Sequence, residues 1–293
     1  MMDASVAKWW EAGKGNEVLC RLCPRQCRIA VGRTGYCGVR VNREGILRTL
    51  AYGRPISVAI DPIEKKPLAR FLPGSKVFSL GTYGCNLGCL FCQNDSLSRE
   101  HYNEGEADLH VPAERIVELA KQRGCPSIAY TYNEPTVFAE YVCDIARLAH
   151  KAGLKNVLVS NGFISPEAAG ELYPLMDAAN IDMKGFSEDF YKTMCGGTLA
   201  PVLTSLQTLR QFNVHLEVTT LVIPGKNDNL EELAEWLNWV ESFLGLETPL
   251  HFSAYHPAYR CRIPPTPVAT LLAIRDLAIQ HGCTNVFLGN VAW

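Results

Sequence analysis

From Lys76 onward, short apolar runs alternate with stretches of helical period. The runs fall at 77–80, 127–130, 156–159, 179–183, 215–223, 250–253 and 285–288. Helical patterns occupy 113–122, 137–151, 166–175, 203–211, 230–243 and 268–281. Short apolar runs bounded by turn residues read as strands, and longer 3.6-residue periods as helices. Ser165 before Pro166 supplies a cap and a first-turn proline, and Gly153 and Gly282 follow helix ends. The alternation predicts βα units around a parallel sheet, an α/β fold forming a full or partial barrel. In such a barrel, chemistry gathers at the C-terminal ends of the strands. No repeat or low-complexity tract interrupts the pattern.

The first seventy or so residues do not share it, which divides the chain into a module with its connector (1–72) and a barrel (73–293). The module carries Cys20, Cys23, Cys27 and Cys37, interspersed with Gly32, Gly35 and Gly38. A piece so short and loop-rich builds little core of its own and needs a staple. Four thiols at this spacing can close a metal shell. Zinc is the first reading, a second iron–sulfur cluster the next, and unmetallated thiols the remaining one. A closed four-ligand site leaves no position for chemistry, so the module reads as a lid or docking surface near the barrel mouth. Residues 61–68, bracketed by Pro62 and Pro67, read as an extended connector.

Of the 293 residues, 47% are hydrophobic and 20% charged, an ordinary globular balance. The net charge of −2 and the lack of a basic run argue against non-specific nucleic-acid binding. No apolar run reaches the ~20 residues that span a bilayer, and the N-terminus lacks the apolar region of a signal peptide. The expectation is a cytoplasmic protein. In that compartment 12 cysteines point to metal or redox chemistry before disulfides.

Cys85, Cys89 and Cys92 occupy one loop after the first barrel strand, spaced C-x3-C-x2-C, with Phe91 before the last. Three thiolates are one short of the shell that closes a structural zinc or an ordinary four-iron cluster. A three-ligand site leaves one metal corner open. Gly84 and Gly88 allow the backbone to wrap a bulky cluster. Cys125, Cys143, Cys195, Cys261 and Cys283 have no metal spacing and read as ordinary buried thiols.

The loop resembles the cluster-binding loop of the radical S-adenosylmethionine (SAM) enzymes at every position. That resemblance implies a partial (β/α)6-type TIM barrel, a 4Fe–4S cluster on Cys85, Cys89 and Cys92, and SAM on the fourth iron. It gives roles to the strand ends. Glu134-Pro135 match the end of a Gly-Gly-Glu-Pro-like motif, with Tyr132-Asn133 in place of the glycines, so Asn133 and Glu134 are expected at the SAM ammonium. The alternative for Glu134 is an acid in the first turn of a helix. Ser160 and Asn161 are expected at the ribose, or else form a cap and turn. Asp182 and Lys184 share a strand face and resemble a pair of the glycyl-radical-activating branch, or form a structural ion pair. His256 after Tyr255 resembles a SAM contact of that branch, with a plain turn residue as the alternative. Glu217 stands in the fifth strand, where that branch often has a basic residue.

Over its whole length the chain is similar to one subfamily, the radical SAM member of the AmmeMemoRadiSam system. The residues are Cys20-Arg21-Leu22-Cys23-Pro24, Gly35-Tyr36-Cys37-Gly38-Val39-Arg40, residues 61–68, the cysteine loop and Tyr130 to Pro135. The resemblance implies AMMECR-type and Memo-type proteins as partners, a low-potential electron donor, and a radical reaction on a protein or peptide. The rival readings are a glycyl-radical activase and, from another class, a metal-stapled binding protein on a degenerate barrel.

Overall fold

A computed structural model describes residues 5–102 and 110–291. Eight strands form one sheet: β1 (Ser57–Pro62), β2 (Lys76–Gly81), β3 (Ser127–Tyr130), β4 (Lys155–Ser160), β5 (Ala178–Asp182), β6 (His215–Val222), β7 (Leu250–Ala254) and β8 (Val286–Gly289). They lie side by side in sequence order. β2 to β8 are parallel, and β1 pairs antiparallel with β2. β1 and β8 are the two edges, so the sheet is an open partial barrel. The seven predicted strands all form. β1 lies in the segment read as module and connector, where its alternating exposure weakens the apolar signal.

Helices α1 (Ala113–Gln122), α2 (Ala139–Lys151), α3 (Pro166–Leu172), α4 (Ala200–Gln211), α5 (Leu230–Phe243) and α6 (Val268–Gln280) fill the crossovers. The Ser165 side chain caps α3 from before Pro166, accepting from the N–H of Ala168. Asn229 caps α5 through the N–H groups of Glu231 and Glu232. Gly153 and Gly282 stand beyond α2 and α6 at positive φ, where a side chain would be strained. Among the described residues, no helix is long and apolar enough to cross a membrane.

Residues 5–49 carry two three-stranded antiparallel sheets. Their apolar side chains, including Trp9, Val18, Leu22, Ile29, Val39 and Leu47, belong to the same core as the barrel helices. Arg40, on one of these strands, is buried in an ion pair with Glu140 of α2 at 2.5 Å. Residues 61–68 fold instead of running extended: a 3-10 turn at Ile63–Lys65 brings Lys66 back to Asp61 at 2.7 Å.

At the N-terminal end of the barrel, Glu217 is fully buried. It accepts from the N–H groups of Ala69 and Arg70 and contacts ring nitrogens of His215 and His251 at 2.9 and 2.6 Å. This places it at the opposite end of the sheet from the cysteine loop and makes it a plug for the barrel floor.

Candidate active site

The cysteine loop leaves the C-terminal end of β2, on the rim where β3 to β7 also end. Cys85, Cys89 and Cys92 are all half-buried free thiols. The loop is braced from three sides. Asn86 is buried; its amide donates to Phe163 O at 2.5 Å, and its Oδ1 accepts from Asn161 Nδ2 at 2.9 Å. Arg25, stacked 3.4 Å above the Tyr36 ring, donates to the carbonyls of Asn86 and Gly196. Arg99 donates to the carbonyls of Cys85 and Leu87. The carbonyls of Cys85, Asn86 and Leu87 are thus turned toward cations.

Cys195 joins this group, a placement that its sequence spacing gave no sign of. Its carbonyl accepts from Gly88 N–H at 2.8 Å, and Met194 O accepts from Leu90 N–H at 2.9 Å. A hydrogen bond from Cys195 holds the Cys89 thiol below its ordinary value against the effect of burial, and Lys184 adds to this. Burial pushes Cys85 and Cys92 up.

The expected pocket residues divide into two groups. Asn161 turns its amide toward Cys85 Sγ at 3.7 Å. Asp182 and Lys184 form an ion pair of 2.7 Å at the end of β5, partly open to solvent. Burial opposes the Lys184 charge, but Asp182 and Cys89 raise its pKa overall. His256 is exposed and meets Gln93 at 3.2 Å, next to Cys92. Asn161 and Lys184 thus lie beside the thiols, Asp182 is tied to Lys184, and His256 reaches the loop through Gln93. Gln93, Arg99, Arg25 and Cys195 complete the surroundings and were not singled out from the sequence.

The other residues support the site from behind. Glu134 is 1% exposed. Its carboxylate accepts from Thr136 N–H (2.9 Å), Thr136 Oγ1 (2.7 Å), Ser160 Oγ (2.8 Å) and Asn161 N–H (2.8 Å). Burial raises its pKa despite those donors. Ser160 is spent on the same contact. Asn133 accepts from Thr82 N–H and donates to the carbonyls of Tyr83 and Gly84, fastening the start of the loop. Phe91 is buried against Phe190 with ring centroids 5.9 Å apart. Tyr132 has φ +72°, the left-handed conformation that a glycine adopts without strain. Its hydroxyl donates to Asp61 at 2.6 Å and Lys66 lies 4.4 Å over its ring, contacts that offset the strain.

Cys20, Cys23, Cys27 and Cys37 line one small cavity with Arg25, Arg40 and Asn86. Zinc–thiolate bonds of about 2.3 Å need sulfurs drawn tightly together. Among the described residues no three cysteine, histidine or carboxylate side chains converge on a single-ion position. Cys85, Cys89 and Cys92 do not converge that way either, and their donor set suits a cluster, whose irons hold the sulfurs further apart.

The radical SAM superfamily model matches residues 79–237, from β2 into α5. The chain is 44% identical over 286 residues to an uncharacterized protein of Methanocaldococcus jannaschii, covering 97% of this chain and 85% of that protein. It is 23% identical over 177 residues to the pyruvate formate-lyase 1-activating enzyme of Escherichia coli, covering 59% of this chain and 71% of the enzyme. The fold matches SuiB of Streptococcus suis bound to S-adenosylmethionine at a TM-score of 0.56 and 15% identity, covering 73% of this chain and 50% of SuiB. A parallel open barrel with three thiols on its rim defines a cluster-dependent enzyme. The chain belongs to the radical SAM superfamily, whose cofactors are a 4Fe–4S cluster and S-adenosylmethionine.

Proposed function

We propose that this chain cleaves SAM reductively at a cluster on Cys85, Cys89 and Cys92 and directs the radical to a protein or peptide. The observation that carries this reading is the three-thiol loop on the open rim, braced by Asn86, Arg25 and Arg99. When bound, the cluster and SAM supply a 5′-deoxyadenosyl radical. The protein's part is to bind, orient and exclude water. Asp182 and Lys184 offer an acceptor and a cation to the amine and carboxylate of methionine. Asn161 presents an amide beside Cys85. His256 and Gln93 stand at the outer edge, where an incoming chain would pass.

The sheet does not close, its edges being β1 and β8, and an unclosed barrel suits an extended substrate better than a closed one. SuiB, which shares the fold over about half its length, is itself known bound to a precursor peptide, SuiA. AMMECR-type and Memo-type proteins are the first candidates to offer as substrate, with a low-potential one-electron donor. The similarity to the pyruvate formate-lyase 1-activating enzyme favours a second reading, a glycyl-radical activase.

The test is anaerobic reconstitution with SAM and dithionite, followed by quantification of 5′-deoxyadenosine and methionine. Wild type should form both, and Cys92→Ala neither. With a candidate protein present, a changed covalent mass supports the modifying enzyme and a persistent protein radical the activase. Cleavage that survives in Cys92→Ala would overturn the assignment.

A further inference from the structure

We propose that Cys20, Cys23, Cys27 and Cys37 hold a second iron–sulfur cluster, a closed one-electron carrier whose sulfur accepts a hydrogen bond from Nε of Arg40. The four thiols come from the end of one strand, the turn after it, and a loop ten residues further on, and they line a single cavity. Like Cys85, Cys89 and Cys92, they form no group of three side chains placed around a single ion. A cluster accommodates that, because each thiolate bonds a different iron.

Arg40 supplies the second observation. It is 1% exposed and lines the same cavity. Two of its guanidinium nitrogens are engaged: one donates to Lys8 O at 2.9 Å, the other to Glu140 at 2.5 Å. Its Nε–H is buried and has no partner. An orphaned buried donor is costly, and most such groups in folded proteins have an acceptor. Cysteine thiols are weak acceptors, whereas the sulfur of an anionic cluster is a strong one for a charged donor.

The site adjoins the SAM-cleaving loop. Asn86 lines the cavity and follows Cys85 directly. The carbonyl of Cys37 lies 2.5 Å from where a Cβ on Gly84 would stand. With four protein ligands no iron corner is open, so this cluster binds no SAM. Its chemistry is the gain of one electron from a low-potential donor and its later loss, with no bond made or broken.

The test uses the full chain with Cys85, Cys89 and Cys92 all replaced by alanine, which isolates the second site whatever the fate of the functional reading above. Anaerobic reconstitution with iron and sulfide should leave about four irons in this variant against about eight in wild type. Dithionite should then produce the paramagnetic signal of a reduced cluster. One zinc with no iron, or no metal at all, overturns the proposal. Adding Arg40→Lys keeps the charge and removes Nε; the reduction potential should become more negative at unchanged iron content, and an unchanged potential overturns the Arg40 contact. If that variant does not fold, heavy-nitrogen arginine in the triple variant should give a nitrogen coupling to the reduced cluster, and its absence is equally decisive.

Discussion

The buried carboxylate of Glu134 accepts the backbone N–H of Asn161 at 2.8 Å, and Asn161 in turn presents its side-chain amide to Cys85. Glu134 therefore acts on the site through the end of β4. Glu134→Gln replaces an acceptor-only group with one that confronts several donors. We expect a loss of roughly 2–3 kcal/mol of stability, the cost of disturbing buried hydrogen bonds to a charged group. Urea unfolding measures it. A variant as stable as wild type but weaker in SAM binding would return Glu134 to a direct ligand role.

The Asp61–Lys66 pair holds Tyr132 in its left-handed conformation. Lys66 is 2% exposed, and Asp61 also accepts from Lys65 at 2.9 Å and from Tyr132. Removing one member of a buried pair leaves Asp61 with only the solvent-exposed Lys65 as a cation, so Lys66→Ala should cost up to roughly 3–5 kcal/mol. The neutral double variant Asp61→Asn/Lys66→Met should recover much of that. Equal losses in the single and double variants, measured by thermal and urea unfolding, would refute the pairing argument.

The barrel was legible because buried parallel strands are continuous apolar runs and their helices carry caps, such as Ser165-Pro166 and Asn229. The cysteine loop was legible because its donors are adjacent in sequence. The division of labour between residues was not. Asp182 and Glu134 are both acids at strand ends, and only the packing shows that one faces the rim while the other is enclosed by Ser160, Thr136 and Asn161. Cys195 reaches the loop across more than a hundred residues through backbone hydrogen bonds, which no spacing encodes. The edge strand β1 was hidden because Val58 and Ile60 face outward while its pairing comes from β2.

Glu217 makes acid stability testable. Burial alone would raise its pKa, but donors from His215, His251, Ala69 and Arg70 bring it down from 4.5 to about 2. A depressed carboxyl contributes stability above its unfolded value and loses it as pH falls through the folded one. The window therefore runs from about pH 5 down to about pH 2, and the contribution is on the order of 3 kcal/mol. Asp61 and Asp177 are also lowered and contribute in the same direction. Glu217→Gln should be less stable at neutral pH and should lose part of the slope of stability against pH in that window. An unchanged slope would show that Glu217 is not depressed.

The last prediction concerns the contact between the two cysteine sets. Gly84 has φ +89°, and a Cβ there would lie 2.5 Å from Cys37 O and 2.8 Å from Val39 Cγ1. The first of these neighbours is backbone and cannot rotate away. Gly153 also has positive φ, at +76°, but has nothing within 4 Å of an added Cβ. Gly153→Ala should cost only the ~1–2 kcal/mol of the left-handed conformation. Gly84→Ala adds a steric term of roughly 1–3 kcal/mol and must push the N-terminal segment away from the loop. It should therefore lower both the unfolding midpoint and the iron retained on anaerobic reconstitution, while Gly153→Ala lowers the midpoint alone. Full iron content in Gly84→Ala would mean that the loop can separate from Cys37 without consequence for either set of thiols.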